Sequence, residues 1–191
     1  MIGTPPAAVV IGASAGALEA LTSILPLLPP EFPLPILVVV HIPPDKRSVL
    51  AHLFEAKCQV RVMEVEDKEP IKPGTVYFAP PDYHLLVEGE EELALSSEEP
   101  VMFSRPSIDV LFESAADVWE ERLIGIILTG ANSDGSRGLK ALSAAGGTAI
   151  VQDPGQASAR AMPDAAIAAT PTAIVMSLNE IAAYLRRISS P

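Results

Sequence analysis

Ala8-Val9-Val10-Ile11-Gly12-Ala13-Ser14-Ala15-Gly16 is the stretch on which the fold turns. Its first four residues are apolar with no polar alternation, which predicts a strand buried on both faces, as in parallel sheets covered by helices. A Gly-containing turn follows. Helical spacing then runs from about Gly16 to Leu28, where Pro29 and Pro30 end the helix because proline cannot continue the hydrogen-bond ladder. Strand, tight turn and helix together form the opening unit of an α/β fold.

The unit recurs along the chain. Ile36 to Val40 reads as a second buried strand, ending at His41. Asp45 to Ala56 reads as a helix, with Asp45 a candidate cap, and Gln59 to Val65 as a third strand. After the Lys72-Pro73-Gly74 turn, Thr75 to Ala79, His84 to Val87 and Leu93 to Ser96 are separated by turn-rich loops without helical periodicity. This predicts an antiparallel hairpin region at about 75–100. Ser107 to Glu120 returns to helical spacing, with Ile108, Leu111, Phe112, Ala115 and Trp119 on one face and Ser107 as N-cap.

Leu123 to Leu128 is the most strand-like run, and it leads through a loop to Gly135 and a helix reaching Ala145. A strand at Thr148 to Val151, a short helix after Pro163, a strand near Ala173 to Met176 and a helix from Leu178 to Ile188 complete the pattern. The expected architecture is one domain over residues 1–191: a three-layer, doubly wound α/β fold with a mainly parallel sheet.

Composition narrows the function. Hydrophobic residues make up 49% of the 191 positions and aromatic ones only 5%, so the core must be built from Ala, Val, Ile and Leu. The formal net charge of -11 disfavours nucleic acid and anionic membrane as partners. The Glu90-Glu91-Glu92 and Glu98-Glu99 runs read as solvated loop. Cys58 is the only cysteine, which excludes an intramolecular disulfide and suits a reducing cytoplasm. No cluster of Cys and His suggests structural zinc, and no uninterrupted apolar stretch is long enough to span a bilayer.

In open α/β sheets ligands bind beyond the carboxyl ends of strands, so reactive side chains in those positions are the candidates. Ser14 sits in a Gly-x-Ser-x-Gly turn between strand and helix, where small neighbours lift a hydroxyl above the sheet and free N–H groups can meet an oxyanion. The plain alternative is a serine that merely caps the helix. His41 directly follows a strand, and histidine titrates nearest neutral pH, so it is the candidate base. His52, inside a predicted helix, reads as a surface or packing residue, and His84 could serve structure as easily as binding. Asp134, in Thr129-Gly130-Ala131-Asn132-Ser133-Asp134-Gly135, is the candidate carboxylate, although Asp before Gly is also a common turn pair. Asp153, Asp82 and Asp45 compete with it. The order Ser, His, Asp differs from the Ser, Asp, His order of lipase-type α/β hydrolases. A dinucleotide-binding loop fits less well, since Gly-x-Gly-x-x-Gly is absent.

Taken together, several stretches resemble the catalytic domain of the chemotaxis protein-glutamate methylesterases, the CheB type. They are Val10-Ile11-Gly12-Ala13-Ser14, His41-Ile42-Pro43, Lys72-Pro73-Gly74 with Ala79-Pro80-Pro81 and His84, and Ser104 through Phe112. Ile127-Leu128-Thr129-Gly130 with Asp134-Gly135, Gln152-Asp153 and Met162-Pro163 continue the match in collinear order. The resemblance implies a doubly wound domain that hydrolyses γ-glutamyl methyl esters on chemoreceptors, releasing methanol, and that often deamidates receptor glutamines.

It further implies Ser14 as nucleophile, Asp134 as the orienting carboxylate, and His41 as general base and acid. Ala15 and Ala131 would lie beside the oxyanion, and neither metal nor organic cofactor is implied. Two departures stand out: Ala15-Gly16-Ala17 where the family usually has Thr-Gly-Gly, and Ala131-Asn132 where it usually has Met-Gly. Many members carry an N-terminal receiver domain, whereas the first strand here starts near residue 8. The expectation is therefore a stand-alone form, or a piece cut from a longer chain, with an ungated active site and a separate response-regulator receiver as a candidate partner. A catalytically idle member that binds a receptor or signalling partner is the competing reading, and a nucleotide-binding Rossmann domain the third.

Overall fold

Nine strands and six helices are seen in the computed structural model, which describes residues 4–42 and 49–189. Seven strands form one parallel sheet in the order β3-β4-β2-β1-β7-β8-β9. They are β1 (Ala8–Ala13), β2 (Ile36–Val40), β3 (Arg61–Glu64), β4 (Thr75–Phe78), β7 (Leu123–Ile127), β8 (Thr148–Gln152) and β9 (Ile174–Met176). All residues of β1, β2 and β7 are buried, as their unbroken apolar runs require.

The helices divide between the two faces. Side chains of α1 (Ala17–Thr22), α2 (Leu50–Glu55) and α6 (Leu178–Ile188) pack with Val9, Ile11 and Val38 on one side. Those of α3 (Ile108–Trp119), α4 (Ser136–Ala144) and α5 (Ala161–Ala169) pack with Val10, Val39 and Ile127 on the other. The second face also carries the antiparallel pair β5 (His84–Glu88) and β6 (Glu92–Ser96) through Leu85, Val87 and Leu93. This is the doubly wound, three-layer arrangement anticipated from the sequence, and all five apolar positions assigned to one face of α3 are buried.

Boundaries moved in four places. Within the 75–100 region only β5 and β6 pair with each other, while Thr75–Phe78 lies inside the parallel sheet between β3 and β2. The helix expected up to Leu28 stops at Thr22 and continues as a short 3-10 turn at Leu25–Leu27. Thr22 and Ser23 turn their hydroxyls back onto the carbonyls of Leu18 and Glu19, and Pro26 has no N–H to extend the ladder. Helix α5 begins at Ala161, two residues before Pro163, because a first-turn residue needs no intrahelical N–H bond. The helix expected from Asp45 is seen from Leu50, and Asp45 itself lies outside the described residues. Among the described residues no helix is long and apolar enough to cross a membrane.

The strand order fixes where a ligand can enter. From β1 the chain moves outward through β2, then returns to place β7 on the other side of β1. The crevice at such a switch point lies beyond the carboxyl ends of β2, β1 and β7.

Candidate active site

Each sequence candidate occupies one of those three ends. Ser14 is the first residue beyond β1, where its N–H donates to the Thr129 carbonyl beyond β7 at 2.9 Å. His41 is the first beyond β2, and its N–H donates to the Ala13 carbonyl at 3.2 Å. Because Ala13 pairs with Val40 in parallel register, Ser14 and His41 leave the sheet side by side, about 5 Å apart at the backbone. The Ser14 turn needs both its glycines. A Cβ on Gly12 would lie 2.3 Å from Ile108 Cγ2, so α3 would have to shift away from β1, and Gly16 adopts φ +83°.

Asp134 is fully buried in the loop between β7 and α4. Its Oδ2 meets His41 Nε2 at 2.7 Å and accepts the Ile108 N–H at 2.7 Å. Its Oδ1 accepts the Ser107 hydroxyl at 2.9 Å and the Asp109 N–H at 3.0 Å. The carboxylate therefore sits on the N-terminus of α3, where unpaired N–H groups and the helix dipole favour negative charge. Burial alone pushes the Asp134 carboxyl up. The hydrogen bond from His41, the Asp109 and Ile108 N–H groups and the His41 charge together outweigh burial and hold it below its ordinary range.

With Nε2 turned to the carboxylate, Nδ1 is the ring nitrogen that remains. Among the described residues neither Nδ1 of His41 nor the Ser14 hydroxyl has a hydrogen-bond partner. Hydrogen bonds of this kind commonly tighten only when substrate is bound. The main-chain N–H groups of Ala15 and Ala131 are also without partners among the described residues, and both residues are exposed. A cleft of about 310 Å³ opens beside the His41 ring, walled by Ile42, Pro100, Phe103 and Pro106 with the Arg105–Asp82 ion pair at its side. Phe103 is fully exposed at its rim.

Two of the competing carboxylates are engaged elsewhere. Asp82 pairs with Arg105 at 2.6 Å, and Asp153 closes its own turn by accepting from Gly155 N–H and the Gln156 amide. His84 serves structure: its Nδ1 accepts the Ser107 N–H at 3.1 Å, which leaves Nε2 to donate to the Glu99 carbonyl at 3.0 Å. His52 is exposed on α2. Cys58 is a half-buried free thiol, and burial pushes it up to about 11, which removes it as a nucleophile near neutral pH. Among the described residues no three His, Cys, Asp or Glu side chains gather as a metal site.

Two supporting residues were not anticipated in these roles. Ser107 was read as the α3 cap, yet its side chain makes no cap bond and instead holds Asp134. Gln152 accepts the Thr129 N–H at 2.9 Å and steadies the strand end from which the Asp134 loop departs. A Ser and an Asp in the first positions of a helix give no local hint that a distant carboxylate will fill the same N–H groups.

Comparison with known proteins identifies the family. Residues 9–185 match the family model described as CheB methylesterase. A relative from Leptospira interrogans, provisionally named protein-glutamate methylesterase/protein-glutamine glutaminase, is 50% identical over 95% of this chain and 94% of its own length. A Symbiobacterium thermophilum protein of the same name is 38% identical over 94% of this chain, which spans 49% of that protein. Among solved structures, the Thermotoga maritima CheB methylesterase catalytic domain superposes with a TM-score of 0.90 at 33% identity, covering 97% of this chain and 100% of that domain. The chain belongs to the CheB methylesterase family and is a methylesterase of that chemotaxis family.

Proposed function

We propose that this chain hydrolyses γ-glutamyl methyl esters of a methyl-accepting chemoreceptor, with Ser14, His41 and Asp134 as its catalytic line. The observation that carries the reading is the 2.7 Å contact between His41 and the buried Asp134 at strand ends flanking Ser14. Ser14 Oγ attacks the ester carbonyl while its proton passes to His41 Nδ1. Asp134 holds the opposite ring nitrogen and stabilises the imidazolium. The tetrahedral oxyanion is met by the Ala15 and Ala131 N–H groups. Collapse breaks the bond to the methoxy oxygen, which takes the His41 proton and leaves as methanol. Water then repeats the sequence on the acyl-enzyme and releases the glutamate. An amide would follow the same path with ammonia leaving, which accounts for a glutaminase activity alongside. No step calls for a metal or organic cofactor.

The altered neighbours Ala15 and Ala131 favour the second reading, an idle member that only binds a receptor or signalling partner. Both positions retain the main-chain N–H through which an oxyanion hole acts, which supports catalysis. A serine-directed fluorophosphonate separates the two. Labelling of wild type but not of Ser14→Ala, together with methanol release from a methylated receptor that Ser14→Ala and His41→Ala abolish, is the expected result. An unlabelled wild type would leave only the binding reading.

A further inference from the structure

Thr129 lies outside the catalytic line yet holds the Ser14 turn from two sides. It is 1% exposed at the end of β7. Its carbonyl accepts the Ser14 N–H at 2.9 Å, and its hydroxyl donates to the Ala15 carbonyl at 2.8 Å. The same hydroxyl accepts the Ala159 N–H at 2.9 Å. The other carbonyl within reach, that of Ala159 at 3.3 Å, already accepts the Gly130 N–H at 3.0 Å. The single hydroxyl proton is thus directed to Ala15.

These bonds bracket one peptide group. The Ser14–Ala15 peptide is preceded by an N–H tied to Thr129 and followed by a carbonyl tied to Thr129, while its own carbonyl accepts the Ala17 N–H at 2.9 Å. The only polar group of this peptide left without a partner among the described residues is the Ala15 N–H. Two residues further along the same loop comes Ala131, the second free N–H.

We propose that Thr129 is a positioning residue for the esterase reaction: its hydroxyl orients the Ala15 N–H. The inference rests on the esterase reading above. A donor lowers the barrier only if it is aligned before charge develops on the oxygen. Side chains at position 15 contribute nothing to this clamp, so the chain keeps the hole with Ala15 where its family usually has threonine.

Three variants test it: Thr129→Val, which keeps the shape without the hydroxyl; Thr129→Ser, which keeps the hydroxyl without the methyl; and Thr129→Ala, which keeps neither. The measurements are kcat and KM for methanol release from a methylated receptor, with a thermal melt of each variant. Thr129→Val should lose about 10- to 100-fold in kcat, with KM held within about twofold, since a transition-state donor is misaligned while ground-state binding is untouched. Thr129→Ser should stay within about threefold of wild-type kcat. Should Thr129→Val not fold, the gap between Thr129→Ser and Thr129→Ala carries the same information. Full kcat in Thr129→Val, or equal losses in the Ser and Ala variants, overturns the inference. A wild type that releases no methanol removes the esterase reading and this inference with it, whereas an active wild type beside an unaffected Thr129→Val removes the inference alone.

Discussion

The hydroxyl of Ser107 and the carboxylate of Asp134 meet at 2.9 Å on the N-terminus of α3, so the helix is capped by a side chain 27 positions downstream. The arrangement serves two ends at once. Two first-turn N–H groups of α3 and the N-cap hydroxyl find an acceptor, and the acceptor is fixed at the angle from which it holds His41. A carboxylate bonded in this way cannot swing to follow the imidazole, so the ring orientation is set by the backbone of a helix. The fold thereby turns an ordinary helix terminus into the support of the proposed catalytic line.

Replacing Asp134 with Asn should lower kcat on the order of 10³- to 10⁴-fold, because an amide cannot stabilise the imidazolium or hold the same tautomer. The measurement is methanol release from a methylated receptor. A loss of less than tenfold would show that His41 works without its carboxylate.

Acid should act on stability through the same residue. The Asp134 carboxyl is held below its ordinary value of 3.8 in the folded protein. A group depressed on folding contributes stability at pH above its unfolded value and surrenders it as pH falls through the folded one. Urea unfolding followed from neutral pH to below 3.8 should therefore show a steeper acid loss in wild type than in Asp134→Asn. Parallel curves would mean that other groups govern acid unfolding.

Ser107→Ala removes one charge-assisted bond from a fully buried carboxylate and should cost about 1.5–3 kcal/mol. Equilibrium denaturation measures it. Activity should fall by less than in Asp134→Asn, since the two backbone donors remain. A stability change within experimental error would show that the hydroxyl merely fills space.

Gly12→Ala should destabilise by about 1–3 kcal/mol through overpacking against Ile108, whose Cγ2 lies 2.3 Å from the added carbon. The double variant Gly12→Ala with Ile108→Ala should recover part of the loss of Gly12→Ala relative to its own background, a coupling that denaturation of all four proteins reads directly. Strictly additive losses would place the strain elsewhere.

Salt should not slow the enzyme. The chain carries a net charge of -11, and every ester it cleaves leaves a new carboxylate on the substrate. A chain this acidic offers no net long-range attraction to an acidic or newly carboxylated partner, so salt has none to weaken. Turnover of a methylated receptor should hold or rise from low ionic strength to about 0.15 M. A steep decline would reveal attraction through a local basic patch.

Most of the secondary structure was legible because it is encoded locally. Unbroken runs such as Ile36 to Val40 and Leu123 to Leu128 can satisfy their side chains only in a doubly covered sheet, and the period of Ile108, Leu111, Phe112, Ala115 and Trp119 suits only a helix. The position of reactive residues at strand ends was legible for the same reason. It was enough to single out Ser14, His41 and Asp134, the last two of which the fold brings into contact.

Tertiary structure alone decided which partners those side chains take. Nothing near Asp134 in the chain distinguishes a carboxylate that closes its own Asp-Gly turn from one that crosses to another helix. Nothing near Ser107 says that its hydroxyl will pass over its own helix for that carboxylate. Both outcomes depend on α3 lying across β1, which Gly12 permits by having no side chain, and on β7 returning beside β1. Local pattern specifies what each segment is, because it follows from periodicity and turn chemistry over a few residues. Which polar groups end up opposite one another is set by the packing of segments far apart in sequence.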